Sequence, residues 1–125
     1  MLGTRVAQRF TVLLVDDYDL VRGSLMGLLE AQGCRVLVAA SGAEALHLLA
    51  QDYVDVLLTD IIMPDLDGIA LAKEAKRLRP DLRIMFATGY YSRATEAEGL
   101  GTLLFKPIRD RELGAILASV LPDRG

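Results

Sequence analysis

Cysteine occurs once in the 125 residues, as Cys34, so no intrachain disulfide can form and a reducing cytoplasm is the expected compartment. Tryptophan is absent and the aromatic share is only 6%, unclustered, which leaves no stacking platform for single-stranded nucleic acid. Positive charge is not in surplus either. With a formal net charge of −3, the chain lacks the electrostatic footprint of a nucleic-acid binder. No apolar run approaches the roughly 20 residues of a membrane-spanning helix, and Met1 to Arg9 has no apolar signal-peptide core. Neither nucleic acid nor membrane is therefore an expected partner. A P-loop is missing, as is a Gly-x-Gly-x-x-Gly after the first strand-like run, which removes the nucleotide enzymes built on those loops.

What remains is one domain's length of chain with 52% apolar residues, enough to bury roughly two thirds of its unfolded surface. Residues 1–10 read as a flexible amino-terminal arm and 11–122 as the folded unit. Short aliphatic runs at Val12–Val15, Val36–Ala39, Val54–Thr59, Ile84–Ala87 and Thr102–Phe105 have the character of strands buried on both faces. Helical stripes alternate with them. Leu20, Val21, Ser24, Leu25, Leu28 and Leu29 make the first, with Gly33 placed to cap its end. Ser41 and Glu44 read as a capping box for the second, whose core face is Ala45, Leu46 and Leu49. Ile69, Leu71, Ala72, Ala75 and Leu78 form the third, ended by Pro80, and Leu113, Ile116, Leu117 and Val120 the last, ended by Pro122. Between Tyr90 and Gly101 there is room only for a short fourth helix.

Strands and helices in alternation, without space for a second domain, predict an α/β fold: a doubly wound, five-stranded parallel sheet covered on both faces. In the flavodoxin-like strand order 2-1-3-4-5 the crevice opens between the first and third strands, at their carboxyl ends. Those ends carry Asp16-Asp17 and Asp60, and the fifth strand runs into Lys106-Pro107. Carboxylates within roughly 4–6 Å of each other repel by several kcal/mol per pair at an effective dielectric near 20, so a cation must sit among them. An all-oxygen donor set selects a hard ion such as Mg²⁺, which keeps positions for phosphate oxygens. Three carboxylates, one Mg²⁺ and one lysine sum to zero charge, a site prepared for phosphoryl transfer.

Asp16, Asp17, Asp60, Thr88 and Lys106, in this order at strand ends, with Met63-Pro64 and Asp67-Gly68 after the central acid, resemble the receiver domain of two-component response regulators from Thr11 to Leu121. The resemblance implies that Asp60 accepts a phosphoryl group from a histidine kinase or histidine phosphotransfer domain, and that the chain is a signalling switch with a downstream protein target rather than an enzyme. It further implies Mg²⁺ held by Asp17, Asp60 and the backbone carbonyl of Ile62, with Asp16 acting through a water. Lys106 would pair with one phosphoryl oxygen, Thr88 would move to bond another, and Gly89 would leave the donor's approach open. The Lys106-Pro107 bond is expected to be cis, aiming the ammonium inward. Ending at the fifth helix, the chain reads as a stand-alone or excised receiver without an effector domain.

Taken singly, each marker has a plainer explanation. Asp17 or Asp19 could cap the first helix, Asp60 could form a turn, Lys106 could be a solvated lysine and Thr88 could open a turn with Gly89. Their coincidence at strand ends is what favours a site. His47, the lone histidine, reads as a half-buried side chain, Cys34 as core packing, and Asp65 and Asp67 as loop residues outside the ligand set. A haloacid-dehalogenase-type phosphohydrolase needs a second Asp two residues after its nucleophile, where this chain has Ile62. A non-phosphorylated interaction module on the same fold is the alternative function, because the switch region departs from the family. Leu103 stands where many receivers have Tyr or Phe, and the interval from Thr88 to Lys106 is about one helical turn short. Ile62 and Tyr90 are expected to flank the phosphoryl group and shield it from water.

Overall fold

A computed structural model describes residues 10–89 and 93–121. Along the chain run β1 (Thr11–Val15), α1 (Asp19–Ala31), β2 (Arg35–Ala39), α2 (Gly42–Gln51), β3 (Val56–Thr59), α3 (Gly68–Leu78), β4 (Arg83–Thr88), α4 (Ala94–Glu98), β5 (Thr102–Phe105) and α5 (Asp110–Val120). The strands form one parallel sheet in the order β2-β1-β3-β4-β5, the doubly wound flavodoxin-like arrangement expected from the sequence. No helix of the described residues is long and apolar enough to cross a membrane.

Two cores follow from the period of two in the strands. Leu13, Val15, Leu57, Ile84 and Phe86 point to one face, under Ala45 and Leu49 of α2, Ile69, Leu71, Ala72 and Ala75 of α3, and Ala97 of α4. Val12, Leu14, Val56, Leu58, Met85, Ala87 and Leu104 point to the other, under Leu25 and Leu29 of α1 and Leu113 and Leu117 of α5. Cys34 packs in this second core, and its burial pushes the thiol up to about 11.

Local signals act as the sequence indicates at several ends. Gly33 takes φ 91°, the left-handed conformation that lets Cys34 N–H reach the Leu29 carbonyl at 3.1 Å beyond α1. Ser41 Oγ accepts from the Glu44 amide at 3.1 Å, while the Glu44 carboxylate reaches one residue past the cap to take the Ala40 amide at 2.7 Å. Helix α4 has five residues, the shortening expected. Between α4 and β5, a Cβ on Gly101 would lie 2.2 Å from the Ile84 carbonyl oxygen, so only glycine lets the chain turn this closely into the sheet edge.

Elsewhere the structure corrects the sequence reading. Phe10, assigned to the arm, is fully buried in the α1–α5 core, because an aromatic ring directly before a central strand has a core to enter. Residues 1–9 and Pro122 lie outside the described residues. Strand β3 starts at Val56 rather than Val54, because buried Asp55 turns its carboxylate onto the Thr11 amide at 2.8 Å ahead of the ladder. His47 is exposed, since α2 buries the Ala45–Leu49 face and leaves position 47 off it. Leu20 is 85% exposed and Ser24 is exposed as well, because this side of α1 faces an open groove instead of the sheet.

Candidate functional site

Three strand ends supply the site, and the side chains of Asp16 and Asp60 are each fixed by a backbone amide next to them. Asp16 continues β1 by donating its amide to the Ala39 carbonyl at 3.2 Å. Its side chain is buried, with Oδ1 accepting the Tyr18 amide at 2.9 Å in a tight local turn. Arg22, one turn into α1, donates to the Asp16 carbonyl at 2.7 Å and is itself aimed by an ion pair with Asp19 at 2.6 Å. Neither Asp17 nor Asp19 caps α1: the cap position is Tyr18, which makes no side-chain cap bond, and Asp17 is exposed toward the crevice.

Asp60 leaves β3 with its amide on the Val15 carbonyl at 3.0 Å, which ties the first and third strand ends together. Its Oδ1 accepts the Ile61 amide at 2.7 Å and its Oδ2 faces the Lys106 ammonium at 3.2 Å. Lys106 Nζ also donates to Asp16 Oδ2 at 2.7 Å, so a single ammonium bridges the two carboxylates. Lys106 is held at the strand end by its amide on the Thr88 carbonyl at 2.8 Å, and the Lys106–Pro107 peptide bond is cis. Burial raises the Asp60 carboxyl above its ordinary range, Lys106 opposes the rise, and the nearby charge of Asp16 adds to it.

One carboxylate oxygen from each of Asp16, Asp17 and Asp60 lies within 4.8 Å of the others. With Lys106 the group carries a formal charge of −2 from three carboxylates and one ammonium, and its donors are all oxygen. A hard divalent cation fits both the charge and the chemistry of that set. The crevice above it has a volume of about 580 Å³ and is lined by Asp17, Tyr18, Val21, Asp60, Ile62, Gly89 and Lys106.

Of the residues singled out by sequence, Asp16, Asp17, Asp60 and Lys106 are thus brought together. Ile62 lines the crevice with a 43% exposed side chain. Thr88 ends β4 opposite Phe105, fully buried and beside the crevice rather than lining it. Gly89 does line it, and a Cβ there would meet nothing within 4 Å. Tyr90 lies outside the described residues. Leu103 is partly buried against the α2–α4 core. A second, apolar groove of about 420 Å³ adjoins the crevice and shares Val21 and Lys106 with it; Leu20, Leu25, Leu28, Pro107 and Ile108 form its walls.

Sequence reasoning missed the second acidic anchor. Asp67, taken for a loop residue, caps α3 by accepting the Ala70 amide at 2.8 Å and pairs with Arg93 at 2.6 Å. Burial alone would raise its carboxyl, but the Ala70 amide and the Arg93 guanidinium outweigh burial and hold it below the usual range. An Asp directly before Gly68 and an apolar stripe was a readable cap signal; the partner 26 residues away was not.

Residues 12–118 match the family model of the response regulator receiver domain. The response regulator receiver protein CpdR of Brucella abortus is 39% identical over 106 residues, covering 82% of this chain and 88% of that protein. Sensor kinase CckA of the same organism is 34% identical over 125 residues, but the chain spans only 13% of that kinase's length. Among solved structures, response regulator protein TrrA of Thermotoga maritima, in complex with Mg²⁺ and beryllium fluoride, superimposes with a TM-score of 0.84 at 25% identity, covering 90% of this chain and 99% of that one.

Proposed function

The chain belongs to the response regulator receiver family, and from that premise we propose that it is a phosphoacceptor switch whose phosphorylated residue is Asp60. The donor is a phosphohistidine on a histidine kinase or histidine phosphotransfer domain. A carboxylate oxygen of Asp60 attacks the phosphorus; the new P–O bond forms as the P–N bond breaks, and the imidazole nitrogen leaves with the electron pair. The observation that carries this reading is the crevice itself, where the Asp60 carboxylate sits 3.2 Å from Lys106 with Asp16 and Asp17 beside it.

Asp17, Asp60 and the backbone carbonyl of Ile62 are the residues proposed to hold Mg²⁺, with Asp16 contributing through a water. When bound, the ion supplies positive charge to the crowded carboxylates and to the phosphoryl oxygens during transfer. Lys106, now shared between Asp16 and Asp60, gives its ammonium to a phosphoryl oxygen once Asp60 is esterified. The Thr88 hydroxyl, close by at the end of β4, bonds another. Ile62 covers the acyl phosphate against water, and Gly89 leaves the donor's path open. The apolar groove adjoining the crevice supports a helical donor domain seated along α1, where its histidine reaches Asp60.

Such a protein is a signalling switch rather than a turnover enzyme, and its product is a changed surface read by a downstream protein in the cytoplasm. Leu103, packed where an aromatic residue is usual, supports an output that does not use an aromatic rotamer. The folded unit on this reading begins at Phe10. Incubation with Mg²⁺ and acetyl phosphate tests it: intact mass should rise by one phosphoryl group in the parent and not in Asp60→Asn. An unmodified parent would favour the interaction module that keeps the fold without the chemistry.

A further inference from the structure

Outside the acidic crevice, among the described residues, the ion pairs join neighbours one helical turn apart, with one exception: Arg93 and Asp67, 26 residues apart at 2.6 Å. The pair ties the chain just before α4 to the cap of α3. Each side leads back to a wall of the crevice, because β4 and Gly89 precede Arg93 while Asp60, Ile61 and Ile62 precede Asp67.

The contact from Asp67 to Asp60 is short and made of backbone. Gly68, next to the cap, donates its amide to the Ile61 carbonyl at 2.8 Å. A Cβ on Gly68 would fall 1.8 Å from the Asp60 carbonyl oxygen and 2.9 Å from the Ile61 Cα, so the first residue of α3 is packed directly on the Asp60–Ile61 peptide group. The Thr59 hydroxyl donates to the same Asp60 carbonyl at 2.9 Å. That peptide supplies the Ile61 N–H which fixes Asp60 Oδ1 at 2.7 Å. The start of α3 is therefore in direct contact with the peptide that orients the Asp60 carboxylate. Asp67 determines that start with both oxygens: Oδ1 takes the Ala70 amide and Oδ2 takes Arg93, whose guanidinium is aimed by Glu96 at 3.0 Å.

We propose that Arg93 is a positioning residue for the phosphoacceptor, bracing the Asp60 loop through Asp67 and Gly68. The inference rests on the function proposed above for its consequence, but not for the brace itself. Asp67→Asn separates the two duties of Asp67, because asparagine still caps a helix and no longer forms an ion pair.

Two measurements on the full chain test the proposal in Arg93→Gln, Asp67→Asn, the double variant and Arg93→Lys. The first is amide hydrogen exchange of Ile61 and Gly68 in metal-free protein. The second is the apparent affinity for Mg²⁺ with beryllofluoride. Each single variant should speed exchange at these two amides and weaken ligand binding by about three- to fivefold, the range open to a partly exposed ion pair. The double variant should be no worse than the poorer single one, since both remove the same contact, and Arg93→Lys should recover most of the loss. Additive losses, or a lower melting temperature with unchanged exchange at Ile61 and Gly68, would overturn the proposal. If the parent binds neither ligand, the phosphoacceptor reading fails while the exchange result still decides the brace.

Discussion

Replacing Asp60 by Asn should stabilise the metal-free protein and weaken its response to magnesium. Asp60 lies within 4.8 Å of its acidic neighbours, which at an effective dielectric near 20 amounts to at least about 3.5 kcal/mol of repulsion from Asp16. Exposed Asp17 adds roughly 1 kcal/mol after solvent screening. Lys106 at 3.2 Å returns about 5 kcal/mol on the same scale, so the Coulomb terms nearly cancel. Desolvation then decides the sign, because the Asp60 side chain is only 13% exposed and burying an ion costs several kcal/mol. The raised carboxyl agrees: ionising Asp60 is harder in the fold than in the unfolded chain. That penalty is absent below the ordinary carboxylate range, grows as pH rises through it and is complete above the folded-state value. Asparagine removes the charge while its carbonyl oxygen can keep the Ile61 amide bond, for a net gain of about 1–2 kcal/mol, or roughly 3–8 °C in melting temperature at this chain length. Magnesium at ten times its Kd should add about 1.4 kcal/mol to the parent and clearly less to the variant. Thermal melts at pH 7 in chelator and in magnesium measure all four states. A variant that melts below the parent in chelator, or equal magnesium shifts in both proteins, would refute the reasoning.

Ile62→Asn should shorten the lifetime of the phosphorylated protein severalfold, because an amide in place of the 43% exposed apolar side chain admits and orients water at the crevice; timing loss of the phosphoryl mass checks it. Cys34, its thiol pushed up to about 11 in the core, should resist a thiol reagent at pH 8 in the folded protein and react promptly in denaturant; fast labelling of the native state would contradict that packing. Asp67, held below the usual carboxylate range, contributes stability that is present above its unfolded-state pKa and lost as pH falls through the lower folded-state value. Acid melts of Asp67→Asn should accordingly lack part of the parent's decline below about pH 4, and identical declines would contradict the ion pair.

The strand ends were legible because buried parallel strands are written locally, as short aliphatic runs, and a charged residue that stops such a run lies at the sheet's rim. The same locality explains the two cores, since alternate residues such as Leu13 and Leu14 part to opposite faces by pleat alone. Periodicity reveals a face but not what covers it. Leu20 belongs to an apolar stripe and still stands 85% exposed over a groove. His47 reads as half-buried for a similar reason, by nearness to a stripe it does not share, and is exposed. Phe10 is parted from the Val12–Val15 run by polar Thr11, so the run by itself did not extend the core to it. Arg93 with Asp67, and Arg22 with the Asp16 carbonyl, depend on the folded path of the chain, and no spacing rule announces them.

On the proposed reading Asp60 accepts the phosphoryl group in a cation-filled crevice completed by Lys106 and Thr88. A crystal structure of the protein with Mg²⁺ and beryllofluoride tests that most directly. Beryllium is expected on an Asp60 carboxylate oxygen, with the metal ligated by Asp17, Asp60 and the Ile62 carbonyl, and fluorines within hydrogen-bond reach of Lys106 Nζ and Thr88 Oγ1. Beryllofluoride bound to another residue, or a metal ion held away from these carboxylates, would contradict it.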